Sequence, residues 1–431
     1  MILFFLPIFF LIYYIPFVFD IELYVSSILS TALVLIYIFY RALQNQTSFI
    51  YSLFFTVPNI WLLISALTLD FGWYMPEIQD FSYPSNSTFY LSILTLIFYM
   101  SYEFSFCSKR QYLNLNLFNL IYRNKRTSKI IFILLSINVF FLFFILINGS
   151  PMLSFVQRFD YWQSVWLGSF FSKVFYLTSF CGFFYGYMYR ENPRAFIFNA
   201  IFLLLLSIFF ANKFSWFLLF IISFLGGYIL VKNLSFKDYI KLIALSFILL
   251  LPIISFSYLN LHDIGDLSVL DMVFLRFFIM QGQLWWSIFH LQASIDFYSL
   301  LFGNDGLYGI WLLMDNVMPS LAFDQYFERR IPLTMGYPVV LYTSLGFVAS
   351  ILFVAALGHL YGALMSSIRL VLYKLLYIRF FIYTALLSMY LWILTLGALN
   401  ILFNPLFIFL NFIMILDRYI LNYSSFHVKN V

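Results

Sequence analysis

The chain is 431 residues long, 64% hydrophobic and 23% aromatic, with only 10% charged side chains and a mean hydropathy of +0.95. A soluble domain has too little interior for so much apolar surface, so the sequence reads as a multi-span membrane protein whose loop charges set its orientation. The net charge of +5 is thinly spread, and nucleic acid is not an expected partner.

Apolar runs long enough to span about 30 Å of hydrocarbon at about 1.5 Å per residue fall roughly at 2–19, 24–43, 49–69, 89–107, 129–148, 168–189, 195–211, 214–231, 240–258, 337–357, 378–398 and 400–416. The expected fold is therefore an all-α polytopic membrane protein of about twelve transmembrane helices, one integral membrane domain over residues 1–431. The first run, Met1 to Phe19, lacks a basic leading segment and a small-residue cleavage site, so it reads as a retained helix rather than a signal peptide.

With both termini placed in the cytoplasm, the inside segments collect most of the 23 basic residues, including Arg41, the run from Lys109 to Lys129, Arg190, Arg194, Lys232, Lys237, Lys241, Arg369, Lys374 and Arg379. The acids gather on the other side, among them Asp20, Glu22, Asp70, Glu77, Asp80 and Asp160. Six cations remain on the outer side or in a span: Arg158, Lys173, Lys213, Arg276, Arg329 and Arg330. No topological signal favours cations there, and as a group they point to an anionic ligand.

Two outer loops stand out, at 149–167 and 259–336. In the first, Arg158 is flanked by Tyr161, Trp162 and Trp166, which suit an interfacial aromatic belt or a sugar platform. The planar fork of Arg158 suits bidentate phosphate contacts, with pairing to Asp160 as the plain alternative. In the second loop, the apolar stretch Val269 to Phe297 reads as a re-entrant or interfacial helix, because a thirteenth crossing would put Arg369, Lys374 and Arg379 outside. Arg276, Gln283 and His290 recur every seven residues there and predict one polar stripe on one helix. With Gln281, Trp285 and Trp286 beside it, that stripe offers a cation, amides, aromatic faces and an imidazole, a set that could hold a sugar phosphate.

The two cysteines, Cys107 and Cys181, lie in different spans and read as packing residues. No P-loop, dinucleotide fingerprint or metal-ligand spacing is present, so no cofactor and no metal are expected.

The string Arg276-Phe-Phe-Ile-Met-Gln-Gly-Gln-Leu-Trp-Trp286, followed by Pro332-Leu-Thr-Met-Gly-Tyr-Pro338 at the start of a helix, resembles the O-antigen polymerase family of bacterial surface-polysaccharide clusters. Arg158 with Gly168 ten positions on, the twelve-span layout and a large late outer loop are similar to that family and to the related O-antigen ligases. Arg276 has no glycine at the corresponding offset, and the ligase-type histidine corresponds to His262 or His290.

The resemblance implies a metal-independent glycosyltransferase of the bacterial inner membrane. It would join oligosaccharide repeat units at the periplasmic face by inverting transfer, with polyprenyl-diphosphate-linked oligosaccharides as donor and acceptor. The lipid bilayer is its setting and a chain-length regulator protein a candidate partner. Arg158 and Arg276 would hold the diphosphate, Lys213 and Arg329 or Arg330 would add charge, and His290 or an outer acid such as Asp305 would take the acceptor proton. Tyr337 would shape a lipid-facing groove. Twelve spans also suit a lipid-linked oligosaccharide flippase or transporter, although such carriers place charges within spans and show internal repeats. A third reading, a polyprenyl-phosphate-sugar glycosyltransferase, draws on the Asp20-Ile-Glu22 pair in the first outer loop.

Overall fold

The computed structural model describes residues 2–107, 118–154, 158–210, 214–232, 269–291, 295–302, 310–328 and 336–427, together with Leu234 and Asp238. The described chain is all-α apart from one two-stranded antiparallel hairpin, and six of its helices are long and apolar enough to cross a membrane. The run expected at 240–258 lies outside the described residues.

Helices α1 (Ile2–Phe19), α2 (Tyr24–Gln44), α3 (Gln46–Leu69) and α4 (Ser87–Cys107) run up and down beside one another. Between α3 and α4, strands β1 (Tyr74–Met75) and β2 (Asp80–Phe81) pair Tyr74 with Phe81 and Met75 with Asp80, across a turn in which Gln79 has φ of 60°. This hairpin marks one end of the bundle, called here the hairpin end. The loop is fastened by Asp70, just past the end of α3. Its carboxylate accepts from the Ser27 hydroxyl of α2 at 2.7 Å, the Ser87 hydroxyl at 2.7 Å, the Thr88 amide at 2.9 Å and the Ser85 hydroxyl. A carboxylate at the start of α4 also meets that helix's positive end, so one residue ties α2, α3, the loop and α4 together. At the opposite end, Arg41 of α2 is ion-paired with Glu103 of α4, and the Tyr37 hydroxyl donates to the same carboxylate at 3.3 Å.

Next come α5 (Phe118–Asn148), α6 (Arg158–Ser164), α7 (Gly168–Thr178), α8 (Gly182–Met188), α9 (Pro193–Phe209) and α10 (Phe214–Tyr228). The apolar run at 168–189 is thus broken by a 3-10 turn at Ser179–Cys181. Lipid tails are as apolar as the side chains, so these helices are held by close packing and by polar links rather than by exclusion of water. A Cβ on Gly186 would lie 2.0 Å from the Phe224 carbonyl oxygen, and one on Gly227 would lie 2.0 Å from that of Phe183, so α8 and α10 cross with their backbones in contact. Gly358 and Gly362 do the same against Phe98 and Tyr102 of α4. Asn138 of α5 donates to the Asn199 side chain of α9 at 3.0 Å, a buried polar link between two apolar helices.

The stretch Val269 to Phe297, expected as one helix, is instead α11 (Val269–Phe278), a turn at 279–282 and α12 (Gln283–Leu291). Phe274 packs against Trp73 beyond the end of α3, and Phe277 stacks on Trp61 at 4.9 Å, deeper along it. The turn rests on Ser65, about 6 Å below the end of α3 at about 1.5 Å per residue. Helix α12 then climbs back to the loop residue Tyr83. The segment therefore enters and leaves at the hairpin end. The turn seats closely on α3 at Gly282: a Cβ there would sit 2.5 Å from the Ala66 backbone nitrogen, so a larger residue would force the two backbones apart.

Short helices α13 (Phe297–Phe302), α14 (Ile310–Val317) and α15 (Ser320–Glu328) lead to α16 (Tyr337–Tyr373), α17 (Tyr377–Leu396) and α18 (Pro405–His427). Helix α16 departs from the expected span at 337–357. It is interrupted at Gly346, whose φ of 71° and ψ of 174° are not helical. The Phe98 ring lies 5.1 Å from Tyr337 and 6.1 Å from Tyr361. These two tyrosines would be about 36 Å apart on a straight helix, so residues 337–345 fold back along residues 347–373. Nine residues make about 13 Å of helix, too short to cross a bilayer. The length for a crossing belongs to 347–373.

Candidate functional site at the hairpin end

Loop 74–83 lies along one face of α12. Gln283, Trp286 and His290 sit at positions i, i+3 and i+7, within about 60° of one another around the helix axis. At the lower end, the Glu77 amide donates to Gln283 Oε1 at 3.0 Å, and the Tyr326 hydroxyl of α15 donates to Glu77 Oε1 at 2.7 Å. At the upper end, the Tyr83 hydroxyl lies 2.8 Å from His290 Nδ1, with the Tyr83 ring edge-on to Trp286 at 4.7 Å. Trp286 and His290 are in ring contact at 4.2 Å.

Three atoms along this seam are buried and have no hydrogen-bond partner among the described residues: Gln283 Nε2, Trp286 Nε1 and His290 Nε2. Gln283 is completely buried and Trp286 is 4% exposed. The orientation of the Gln283 amide is fixed by chemistry, because the Glu77 N–H requires an oxygen opposite it; the NH2 is the end left over. Buried polar groups in folded proteins are almost always paired, and leaving one unpaired costs about 1–3 kcal/mol. Three in a row on one helix face mark a place that could receive a ligand's oxygen atoms. Burial pushes the His290 imidazole down to about 4, so it is neutral at physiological pH and its free Nε2 is either a neutral donor or a neutral acceptor.

The other residues singled out in the sequence are placed as follows. Arg276 lies in α11, on a different helix from Gln283 and His290, so the expected single stripe does not form; Gly282 separates them. Gln281 lies half-buried in the turn. Trp285 is completely buried, donates its N–H to the Ser87 carbonyl at 3.2 Å and packs on Tyr342, so its ring is committed to the helix contact rather than open to a sugar. Tyr337 is also completely buried, packed on Phe98 inside the bundle, and does not face lipid.

Arg158 opens α6, and helices α7 and α8 below it run antiparallel to α3, with Phe180 beside Phe54 and Phe183 beside Tyr51. Helix α6 is thus at the hairpin end. So is the end of α9, because the Met152 amide donates to the Phe209 carbonyl there. Gly168 has a structural role: a Cβ on it would lie 2.1 Å from the Trp162 carbonyl oxygen, which is how α6 folds onto α7. The side chains of Arg158 and Arg276 lie outside the described residues, as do Lys213, His262, Asp305, Arg329 and Arg330 in full. Among the described residues, no three His, Cys, Asp or Glu side chains gather as metal ligands would.

Glu77, Tyr83 and Tyr326 were not singled out in the sequence as site residues. Each partner in the seam is about 200 residues away or more in the chain, and no local pattern announces such a pairing.

Residues 303–411 match a family described as a family of unknown function, DUF6418. The match covers about a quarter of the chain, from α14 to the start of α18, and includes Tyr337 but neither loop 74–83 nor α12. No curated protein and no solved structure matches the chain.

Proposed function

We propose that the protein is a glycosyltransferase that polymerises lipid-linked oligosaccharide repeat units of a bacterial surface polysaccharide, at the periplasmic face of the inner membrane. In this reading the hairpin end is periplasmic, both termini are cytoplasmic and about twelve helices cross the bilayer. The α11–α12 segment is the re-entrant element of the large outer loop. The observation that supports the reading is convergence: the helices bearing Arg158 and Arg276 meet the same end of the bundle, beside a seam with three buried hydrogen-bonding atoms left without a partner among the described residues.

The chemistry follows from the charges. The acceptor hydroxyl attacks the anomeric carbon of the donor, the bond to the lipid diphosphate breaks with inversion, and the proton leaves to a base. Arginine side chains fixed near a membrane surface stabilise the negative charge that develops on the diphosphate, which is often the largest single contribution to such a reaction. The donor carries its own activation, so the reaction needs no metal or nucleotide. His290 is a candidate proton acceptor through Nε2. Its depressed pKa makes it a weak base, suited to accepting a proton only as the acceptor oxygen commits to attack.

Deletion of the gene followed by gel analysis of the lipopolysaccharide tests the proposal. Loss of a polymerase leaves lipid A core bearing a single repeat unit, whereas loss of a flippase leaves core with none. An unchanged ladder in the deletion strain overturns the reading, and a requirement of the purified protein for a divalent metal would move it to the polyprenyl-phosphate-sugar glycosyltransferases.

A further inference from the structure

The seam between loop 74–83 and α12 has a chemical character of its own. Gln283 Nε2 and Trp286 Nε1 are donors that cannot become acceptors, and both are uncharged. They call for acceptor oxygens on the ligand. Neutral hydroxyl or carbonyl oxygens satisfy such donors without a compensating charge, and His290 beside them is neutral. Uncharged donors and two aromatic rings, Trp286 and Tyr83, form a set suited to an uncharged polyhydroxylated ring.

We propose that this seam is a subsite for a neutral sugar residue, separate from the arginines assigned to the diphosphate. The inference rests on the polymerase reading for its place in the reaction, as the site that holds a sugar of the donor or acceptor glycan. Its binding chemistry stands on the seam alone. The half-exposed ring of Tyr83 covers Trp286 and His290 from outside, so the sugar enters by displacing Tyr83 from His290 Nδ1.

The test is saturation-transfer NMR on the detergent-purified full-length protein. The probes are D-glucose, D-galactose, D-mannose, L-rhamnose and N-acetyl-D-glucosamine, each measured with and without inorganic diphosphate. At least one sugar is expected to receive saturation and diphosphate is expected not to displace it. Gln283→Leu, which keeps the size and removes the donor, should raise the Kd about tenfold, as loss of one hydrogen bond does. Trp286→Phe provides a second variant whose fold does not depend on the Glu77 contact.

Absence of transfer to every sugar, as expected if ordered water alone fills the seam, overturns the inference. So does transfer unchanged in both variants, or displacement by diphosphate, which would merge the seam with the anion site. The two readings fail separately: sugar binding in a protein whose deletion leaves the glycan ladder intact sinks the polymerase alone, and a lost ladder without sugar binding sinks the subsite alone.

Discussion

The Ser65 hydroxyl and the Gly282 backbone are locked together: the Gly282 amide donates to Ser65 Oγ at 2.7 Å while that hydroxyl donates to the Ile279 carbonyl at 2.7 Å. One side chain of α3 thus satisfies both polarities of the turn between α11 and α12, at a depth where water is scarce. Gly282→Ala places a Cβ against backbone that cannot yield, and overpacking of this kind costs about 1–3 kcal/mol. Ser65→Ala strands the Gly282 N–H at a similar cost of about 1–3 kcal/mol. Both variants should unfold at lower temperature in detergent and, in the polymerase reading, both should impair the glycan ladder, although neither residue carries chemistry. Normal stability in Gly282→Ala would mean that the turn does not seat on α3.

The pairing of Tyr83 with His290 has a consequence for pH. The folded state holds the imidazole near 4, below its ordinary value of 6.5, because burial opposes its charge. Above about 6.5 the imidazole is neutral whether the chain is folded or unfolded, and it costs nothing. As pH falls from 6.5 towards 4, the unfolded chain takes up a proton that the folded protein refuses, so stability is lost across that window and no further below it. His290→Gln should remove this component. The drop in unfolding temperature between about pH 7 and about pH 4.5 should be smaller in the variant; an equal drop in both proteins would show that His290 is not held neutral.

The sequence made some of this legible and concealed the rest for physical reasons. Long apolar runs such as 24–43 and 49–69 map onto α2 and α3 within a few residues, because a membrane helix announces itself by composition alone. The break of α16 at Gly346 is hidden inside an apolar run, and one glycine in such a run is common in membrane helices. The close seat of the turn between α11 and α12 is likewise marked only by Gly282, whose need for space comes from Ala66, over 200 residues away. Heptad spacing of Arg276, Gln283 and His290 implied one helix, and it is the turn that separates the arginine from the other two. Gln283 and His290 were visible as polar residues on an apolar helix. Glu77 and Tyr83 were visible only as members of an outer loop, since what makes them part of a site is where that loop lies.

The Arg41–Glu103 pair at the opposite end predicts a double-variant effect. Their side chains are 18% and 5% exposed, so removing one leaves a charge in poor solvent. Glu103→Ala should cost about 3–5 kcal/mol, whereas replacing both, Arg41→Met with Glu103→Leu, should cost less than that single change. Thermal unfolding of the two proteins in detergent decides the matter. If the double variant is the less stable, the pair contributes more as an ion pair than apolar packing can replace.

Arg276 and Arg158 give the most direct test of the proposed chemistry. Arg276 lies between Phe274, packed on Trp73, and Phe277, stacked on Trp61, six residues before Gly282, so its backbone is positioned by the contacts that seat α11 on α3. If its role is to hold a lipid diphosphate through two parallel N–H contacts, lysine keeps the charge and loses the planar fork. Arg276→Lys should then shorten or abolish the polymer at normal levels of inserted protein. Loss of one fixed donor to a developing anion costs about 3–4 kcal/mol, or roughly 100-fold or more in rate, while loss of an exposed surface charge costs almost nothing. Arg276→Ala and Arg158→Ala should both leave core with a single repeat unit on the gel, and Arg329→Ala should have a milder effect. Wild-type polymer lengths in a normally expressed Arg276→Ala strain would remove this arginine from the reaction and leave it a residue of the membrane surface.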